Sequence, residues 1–399
     1  MLCSALAFAE INGFADSGVT GMTANALYDE SSDANFNCVV IDGNKIEIIS
    51  FGGFNGDNTD LVIPEEIDGM LVSSIAGEAF SGCEGITSIS IPDTVMHIGD
   101  NAFSYCGSLE EVTIGIGAKE IPDHAFMGCT SLKKVTIGRS VERIGEFAFS
   151  GCMALEDPEI PDSVTSIGDN AFVGCVSLKQ ITLPDSITEI GNSLFASCTG
   201  LTEITIPKNI TEIAPFEFSG CTGLTSVTIP GRITSIKNWA FNGCTGLTSI
   251  TIPESVTKIG MGAFSNCSGL TEVTLPKNIT TIESRVFYGC SGLKSFTVPD
   301  SVKDIEEYAF KDCTALTSVN IGSGFNGDIE ISSLTKLYGL ENISVRKNNS
   351  SYSSDNGILF DKNKSSLIFC PKGKKGTYTI PDGVETIEEE AFCDILPHL

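Results

Sequence analysis

The chain has 399 residues, of which 41% are hydrophobic and only 19% charged, a balance that excludes a disordered chain. The formal net charge is −27, with a pI near 4.3, which argues against nucleic acid or an anionic membrane as partner. No run of 18 or more apolar residues occurs, so no membrane insertion through a spanning helix is expected.

Residues 1–32 read as a leader. Leu2 to Ala9 is small and apolar, and Ala7 to Ala9 is an A-x-A-like triplet. The stretch is either the tail of a secretory signal whose basic start is missing or an unstructured leader. Residues 33–75 read as an N-terminal cap. Cys38 to Ile49 predicts a hairpin with its turn at Asp42-Gly43-Asn44. Leu61 to Pro64 and Leu71 to Ile75 then imitate two short strands, shielding the open edge of the stack.

Residues 76–323 are a strict internal repeat. Phenylalanine recurs every 23 residues from Phe80 to Phe310, and a cysteine comes three residues after each, from Cys83 to Cys313. That makes eleven coils without insertion, and a fixed period of this length signals a solenoid. In the coil starting at Leu247, the apolar positions are Leu247, Ile250, Ile252, Val256, Ile259, Phe264 and Cys267. Two β-branched stretches, Ile250–Ile252 and Val256–Ile259, predict strands separated by a corner at Pro253. Gly260 allows a turn into a short segment carrying Ala263, Phe264 and Cys267, which is expected to be helical. One coil cannot offset the ordering of 23 backbones by burying seven side chains, so neighbours must share the work. Parallel strands stack about 4.8 Å apart, which gives eleven coils a length of roughly 50 Å. The repeated cysteines form an inward column of odd number whose side chains point the same way. They are expected to be reduced structural thiols; disulfides and metal or redox roles are the weaker alternatives, and no C-x-x-C occurs.

Residues 324–399 are irregular. Asp328 stands where isoleucine is expected, and Leu340, Ile343 and Val345 restart a coil with one extra residue. An insertion from about Arg346 to Thr379 contains Gly357–Phe360 and Ser366–Cys370, a predicted β-hairpin. Ile380-Pro381, Val384, Ile387 and Ala391-Phe392 resume a final partial repeat, and Asp394 to Leu399 is either an abrupt end or a fragment boundary.

The motif L-x-x-I-x-I-P-x-x-V-x-x-I-G-x-x-A-F-x-x-C resembles the BspA-like leucine-rich repeats of bacterial surface proteins, with similar repeats in treponemal and some protozoan surface proteins. The similarity spans residues 61–393. The insertion I-L-F-D-K-N-K with L-I-F-C-P-K-G also looks like an element of gut Firmicute members. The resemblance implies a curved, right-handed leucine-rich-repeat solenoid, β-rich with short convex helical segments and a parallel sheet on the concave face. It further implies a secreted or cell-surface, non-enzymatic module for protein binding or adhesion, with a structural spacer as the alternative. It does not name a ligand.

Chemistry-bearing patterns are sparse. His97, His124 and His398 fall into no Ser/His/Asp or Cys/His set, and there is neither a P-loop nor a G-x-G-x-x-G after a strand, so no catalysis and no cofactor is expected. The residue after each leading Leu or Ile forms an outward column. Glu110, Lys133, Glu156 and Lys179 alternate in sign there, as a structural charge ladder or a ligand-reading patch. Thr202, Thr225, Thr248 and Thr271 continue that column beside Thr205, Thr228, Thr251 and Thr274. The threonines are either plain strand residues or a face that contacts a glycan; an ice-binding array is the weakest reading. Pro158 replaces the usual Ile or Val, and with Glu156, Asp157, Glu159 and Asp162 makes an acidic knot, read as a tolerated defect or a weak Ca2+ site. Finally, residues 331–378 carry eight cations (Lys336, Arg346, Lys347, Lys362, Lys364, Lys372, Lys374 and Lys375) against three carboxylates. This basic projection on an acidic chain is a candidate contact site, or a solvated hairpin that pairs with itself. The expected partner is an extracellular protein or glycan, bound by a monomer. N-x-[ST] sequons at Asn209 and Asn278 mean glycosylation only in a eukaryotic secretory host.

Overall fold

The structure is a computed structural model describing residues 34–54, 58–327, 337–389 and 391–392. The leader 1–32, Asp328, Lys336 and Asp394–Leu399 with His398 lie outside the described residues. The chain divides into two compact units, Met1–Gly191 and Asn192–Leu399.

The first unit opens with the expected hairpin, Ala34–Asp42 antiparallel to Lys45–Phe54, reversed by Gly43 in the left-handed region. Lys45–Phe54 pairs in parallel with Met70–Ile75, which pairs in turn with His97–Ile98. Two parallel ladders then run through the coils. The first joins Asp60–Val62, Ser88–Ile91, Glu111–Ile114 and Lys134–Thr136. The second joins Glu120–Ile121, Arg143–Ile144, Ser166–Ile167 and Glu189–Ile190. The step from Leu61 to Ile89 is 28 residues, and every later step in these two ladders is 23, for instance Val112 to Val135.

The second unit repeats the scheme in shorter runs. Glu203–Thr205 pairs with Ser226–Thr228, and Glu212–Ile213, Ser235–Ile236 and Lys258–Ile259 form the companion ladder. Ser295–Thr297, Ser318–Ile321 and Asn342–Val345 form a further ladder. Val319 pairs with Ile343, a step of 24, so the extra residue read from the sequence is absorbed before the strand. The insertion is a meander: Tyr352–Asp355, Ile358–Asp361 and Ser366–Phe369 are antiparallel, and Ser366–Phe369 pairs in parallel with Thr386–Ile387. The hairpin is therefore present, with Tyr352–Asp355 as a further strand that its polar composition hides. Ile358, Phe360, Leu367, Cys370 and Ala391 close a small core beneath it.

The helical segments are a correction. Among the described residues there is no helix; Met261 to Asn266 is a run of turns. The cause is backbone handedness. Two residues before and two after each repeat phenylalanine, φ is positive, as at Gly262 (66°) and Asn266 (58°) around Phe264. This alternation aims every second N–H at the next coil. Gly262, Phe264 and Asn266 donate to the carbonyls of Ser284, Val286 and Tyr288 at 3.0, 2.9 and 2.6 Å. A helix would turn those donors along its own axis and, at two turns, return few bonds.

Repeat phenylalanines stack face to face inside each unit. Centroid spacings are 4.9 Å for Phe80–Phe103 and 5.3 Å for Phe241–Phe264. Several of their carbonyls accept twice. Phe126, for example, takes the N–H of Cys129 at 3.2 Å and the thiol of Cys152 at 3.2 Å. Cysteine suits the position because it is small, apolar and still a weak donor. The thirteen described cysteines are buried, and none of them forms a disulfide. Burial pushes the Cys152, Cys244 and Cys290 thiols up to about 12.

Candidate functional site

All eight threonines are exposed. Ile204 is buried, so by strand alternation Glu203 and Thr205 point outward beside it. Thr202, Thr225, Thr248 and Thr271 sit just ahead of the strand positions. Thr205 and Thr228 are paired in register, and Thr251 and Thr274 form a bridge, but Thr228 and Thr251 are not strand-paired. The hydroxyls of Thr225 and Thr271 donate to the carbonyls of Thr202 and Thr248 at 3.0 and 3.2 Å. These side chains therefore reinforce the ladder while remaining at the surface. Strand parity also identifies an outward column that the repeat spacing alone did not single out: Glu203, Ser226, Ser249 and Glu272, all exposed.

In the first unit, the alternating charges meet as expected. Lys133 reaches Glu110 at 2.7 Å and Lys179 reaches Glu156 at 3.6 Å. A second rung of the same kind joins Lys134 to Glu111 at 2.7 Å. All are exposed, so solvent screening leaves each a small contribution to stability. Arg143 binds Asp123 at 2.6 Å and Glu120 at 3.4 Å. Burial raises the Asp123 carboxyl, but the Glu146 N–H and Arg143 outweigh it and hold the group below its ordinary range.

Pro158 does interrupt the first ladder. The strand pairing ends at Lys134–Thr136, leaving only a Thr136–Glu159 bridge to the next coil. A cleft of about 450 Å3 opens there, lined by Lys134, Thr136, Asp157, Glu159 and Asp162 among others. Asp157 accepts from Gln180 at 3.0 Å. Among the described residues, no group of three or more His, Cys, Asp or Glu side chains is arranged to hold a metal ion.

The basic projection is largely paired. Arg346 binds Asp300 at 2.5 Å, Lys364 binds Asp355 at 3.1 Å and Lys375 binds Glu341 at 3.6 Å. Lys362 donates to the carbonyls of Lys347 and Asn349, and Lys372 lies 4.7 Å from the centre of the Tyr338 ring. Hydrogen bonds from Lys364 and then Tyr378 hold the Asp355 carboxyl below its ordinary range. Burial first, and then Asp355, pushes Tyr378 up to about 12. Lys347 is exposed and Lys374 half-exposed. As for the histidines, His97 is exposed on its strand and His124 stacks on Phe147 at 5.2 Å.

Stacked parallel coils with a Leu, Ile, Phe and Cys interior define a leucine-rich-repeat solenoid. The family profile described as BspA type leucine rich repeat region matches residues 45–159, 142–270 and 234–356, and the chain belongs to that family. Two solved structures are each 31% identical. One is a leucine-rich repeat protein from Bacteroides ovatus, with a TM-score of 0.65 over 79% of this chain and 88% of its own. The other is a leucine rich cell surface protein from Faecalibacterium prausnitzii, with a TM-score of 0.56 over 83% and 96%. The pneumococcal vaccine antigen PcpA, 21% identical over 94% of this chain and 96% of its own, shares the fold at a TM-score of 0.54. No relative is found among curated proteins.

Proposed function

We propose that the chain is a secreted or cell-surface binding module that holds an extracellular protein or glycan and performs no chemistry itself. The observation that carries this reading is the contrast between a uniform interior and a varied exterior. Every coil repeats the same buried Phe and Cys, whereas the outward columns change from charge pairs in the first unit to threonines in the second. The F. prausnitzii relative is described as a cell surface protein, which supports the location. Binding of the purified chain to extracellular-matrix proteins and a glycan array tests it. Saturable binding that falls at least tenfold when Thr205, Thr228, Thr251 and Thr274 are all changed to Lys is expected. No binding above that variant removes the threonine face as the site.

A second reading, a spacer without a ligand of its own, is favoured by the internal pairing of the basic meander. It predicts no saturable binding on any array, with surface labelling of intact cells unchanged.

A further inference from the structure

The turn ridge flanking the repeat phenylalanines carries a feature that neither the strand face nor the meander explains. Two residues before each repeat phenylalanine, ten of the eleven coils place a side chain despite a positive φ that glycine alone adopts without strain. Phe216 (φ 57°) and Trp239 (φ 60°) occupy this position in adjacent coils. The next coil has the one glycine of the column, Gly262. A Cβ there would meet the six-membered ring of Trp239 at 2.3 Å. The indole therefore lies flat on the Gly262 backbone, and what is exposed of it faces away from the protein. Tyr105 is seated in the same way on Gly128 in the first unit, with a Cβ contact of 2.6 Å. Core packing does not account for the arrangement, since Phe216 is 44% exposed and Tyr105 is 57% exposed.

We propose that Trp239, seated on Gly262 with Phe216 beside it, is a stacking platform for the sugar rings of a neutral polysaccharide. A ring held flat against backbone offers its outer π-face at little further entropic cost, and such a face suits the axial C–H groups of a pyranose. Amides flank the platform, and the nearby Lys237 is already paired with Glu212 at 2.9 Å. Asn238 accepts the Met261 N–H at 3.1 Å, and Asn242 links Ser219 and Asn266 at 3.2 Å each. Fixed amides hydrogen-bond hydroxyls without requiring a charged ligand. The site is independent of the threonine face.

Trp239 is the single tryptophan of the chain, so its fluorescence reports this site alone. The probes are soluble barley β-glucan, xylan, galactomannan and starch, used in fluorescence titration and native affinity gels, with oligoproline as the peptide comparison. A saturable emission change with at least one polysaccharide is expected. Gel affinity should fall at least tenfold in Trp239→Ala and at least threefold in Phe216→Ala, and stay within threefold in Trp239→Phe. No response to any of the four polysaccharides overturns the proposal, as does a saturable response to oligoproline alone. Polysaccharide binding that survives Trp239→Ala also overturns it, while leaving the binding-module reading intact.

Discussion

Glu217 shows how one position departs from its column. The residue before each repeat phenylalanine is alanine in eight coils, Leu194 and Val286 in two, and Glu217 in the remaining one. Glu217 is only 3% exposed. A buried carboxyl must either lose its hydration or hold a proton, and alanine avoids both costs. The cysteines make the opposite case, a residue kept uniform because nothing else fits. Their thiols are buried, and those such as Cys221 and Cys152 donate to the phenylalanine carbonyl of the preceding coil, at 3.0 Å to Phe195 and 3.2 Å to Phe126. Ellman's reagent should therefore reach no thiol of the native chain other than Cys3 and Cys393, and all fifteen in guanidinium. Rapid labelling of more than two thiols in the native protein would contradict the buried column.

The coil at Pro158 illustrates how an element fails locally. Proline supplies no N–H to the ladder, and the coils on either side lose strand pairing on that face. The companion ladder passes through the same coil undisturbed, Arg143–Ile144 pairing with Ser166–Ile167 and on to Glu189–Ile190. The defect thus opens a cleft without unstacking the coil. Pro158→Ile restores the β-branched residue found at the equivalent Val112 and Val135 sites of the ladder. It is expected to add about 0.5–1.5 kcal/mol, the net worth of one hydrogen bond, with new amide protection at Asp157–Ile160 in hydrogen exchange. Unchanged exchange there would mean that the neighbouring carboxylates, not the proline, hold the ladder open.

At the scale of the whole molecule, the thiols dictate the alkaline limit. Cys152, Cys244 and Cys290 titrate near 12 when folded, against an ordinary value of 9.0. Below pH 9 both states keep the proton and the shift has no effect. Between pH 9 and 12 the unfolded chain ionises and the folded chain does not, so stability falls as pH rises. Each such thiol contributes a slope of about 1.4 kcal/mol per pH unit in that window. Thermal unfolding should be nearly flat from pH 7 to 8.5 and drop steeply above 9. Replacing Cys152, Cys244 and Cys290 by Ala should flatten the alkaline drop. The net charge of −27 adds self-repulsion, which grows in the same direction.

The 23-residue period was sufficient by itself to specify the coil, the Phe and Cys columns, the two strand stretches and the family, because each is a matter of which side chain recurs at which spacing. The charge pairs Glu110–Lys133 and Glu156–Lys179 were legible for the same reason: residues one period apart become neighbours. What the period does not encode is backbone handedness. The segment around Phe264 reads as a short helix from its place in the coil, and the stacked neighbour, with carbonyls at Ser284, Val286 and Tyr288, makes alternating turns the better use of its N–H groups. The pairing of Lys364 with Asp355 and of Arg346 with Asp300 likewise arises from how the meander folds back, not from spacing. Trp239 and Gly262 stand one period apart in the sequence, yet only the tertiary structure shows the ring lying on that glycine, because the direction in which a side chain leans is decided by the left-handed backbone that carries it.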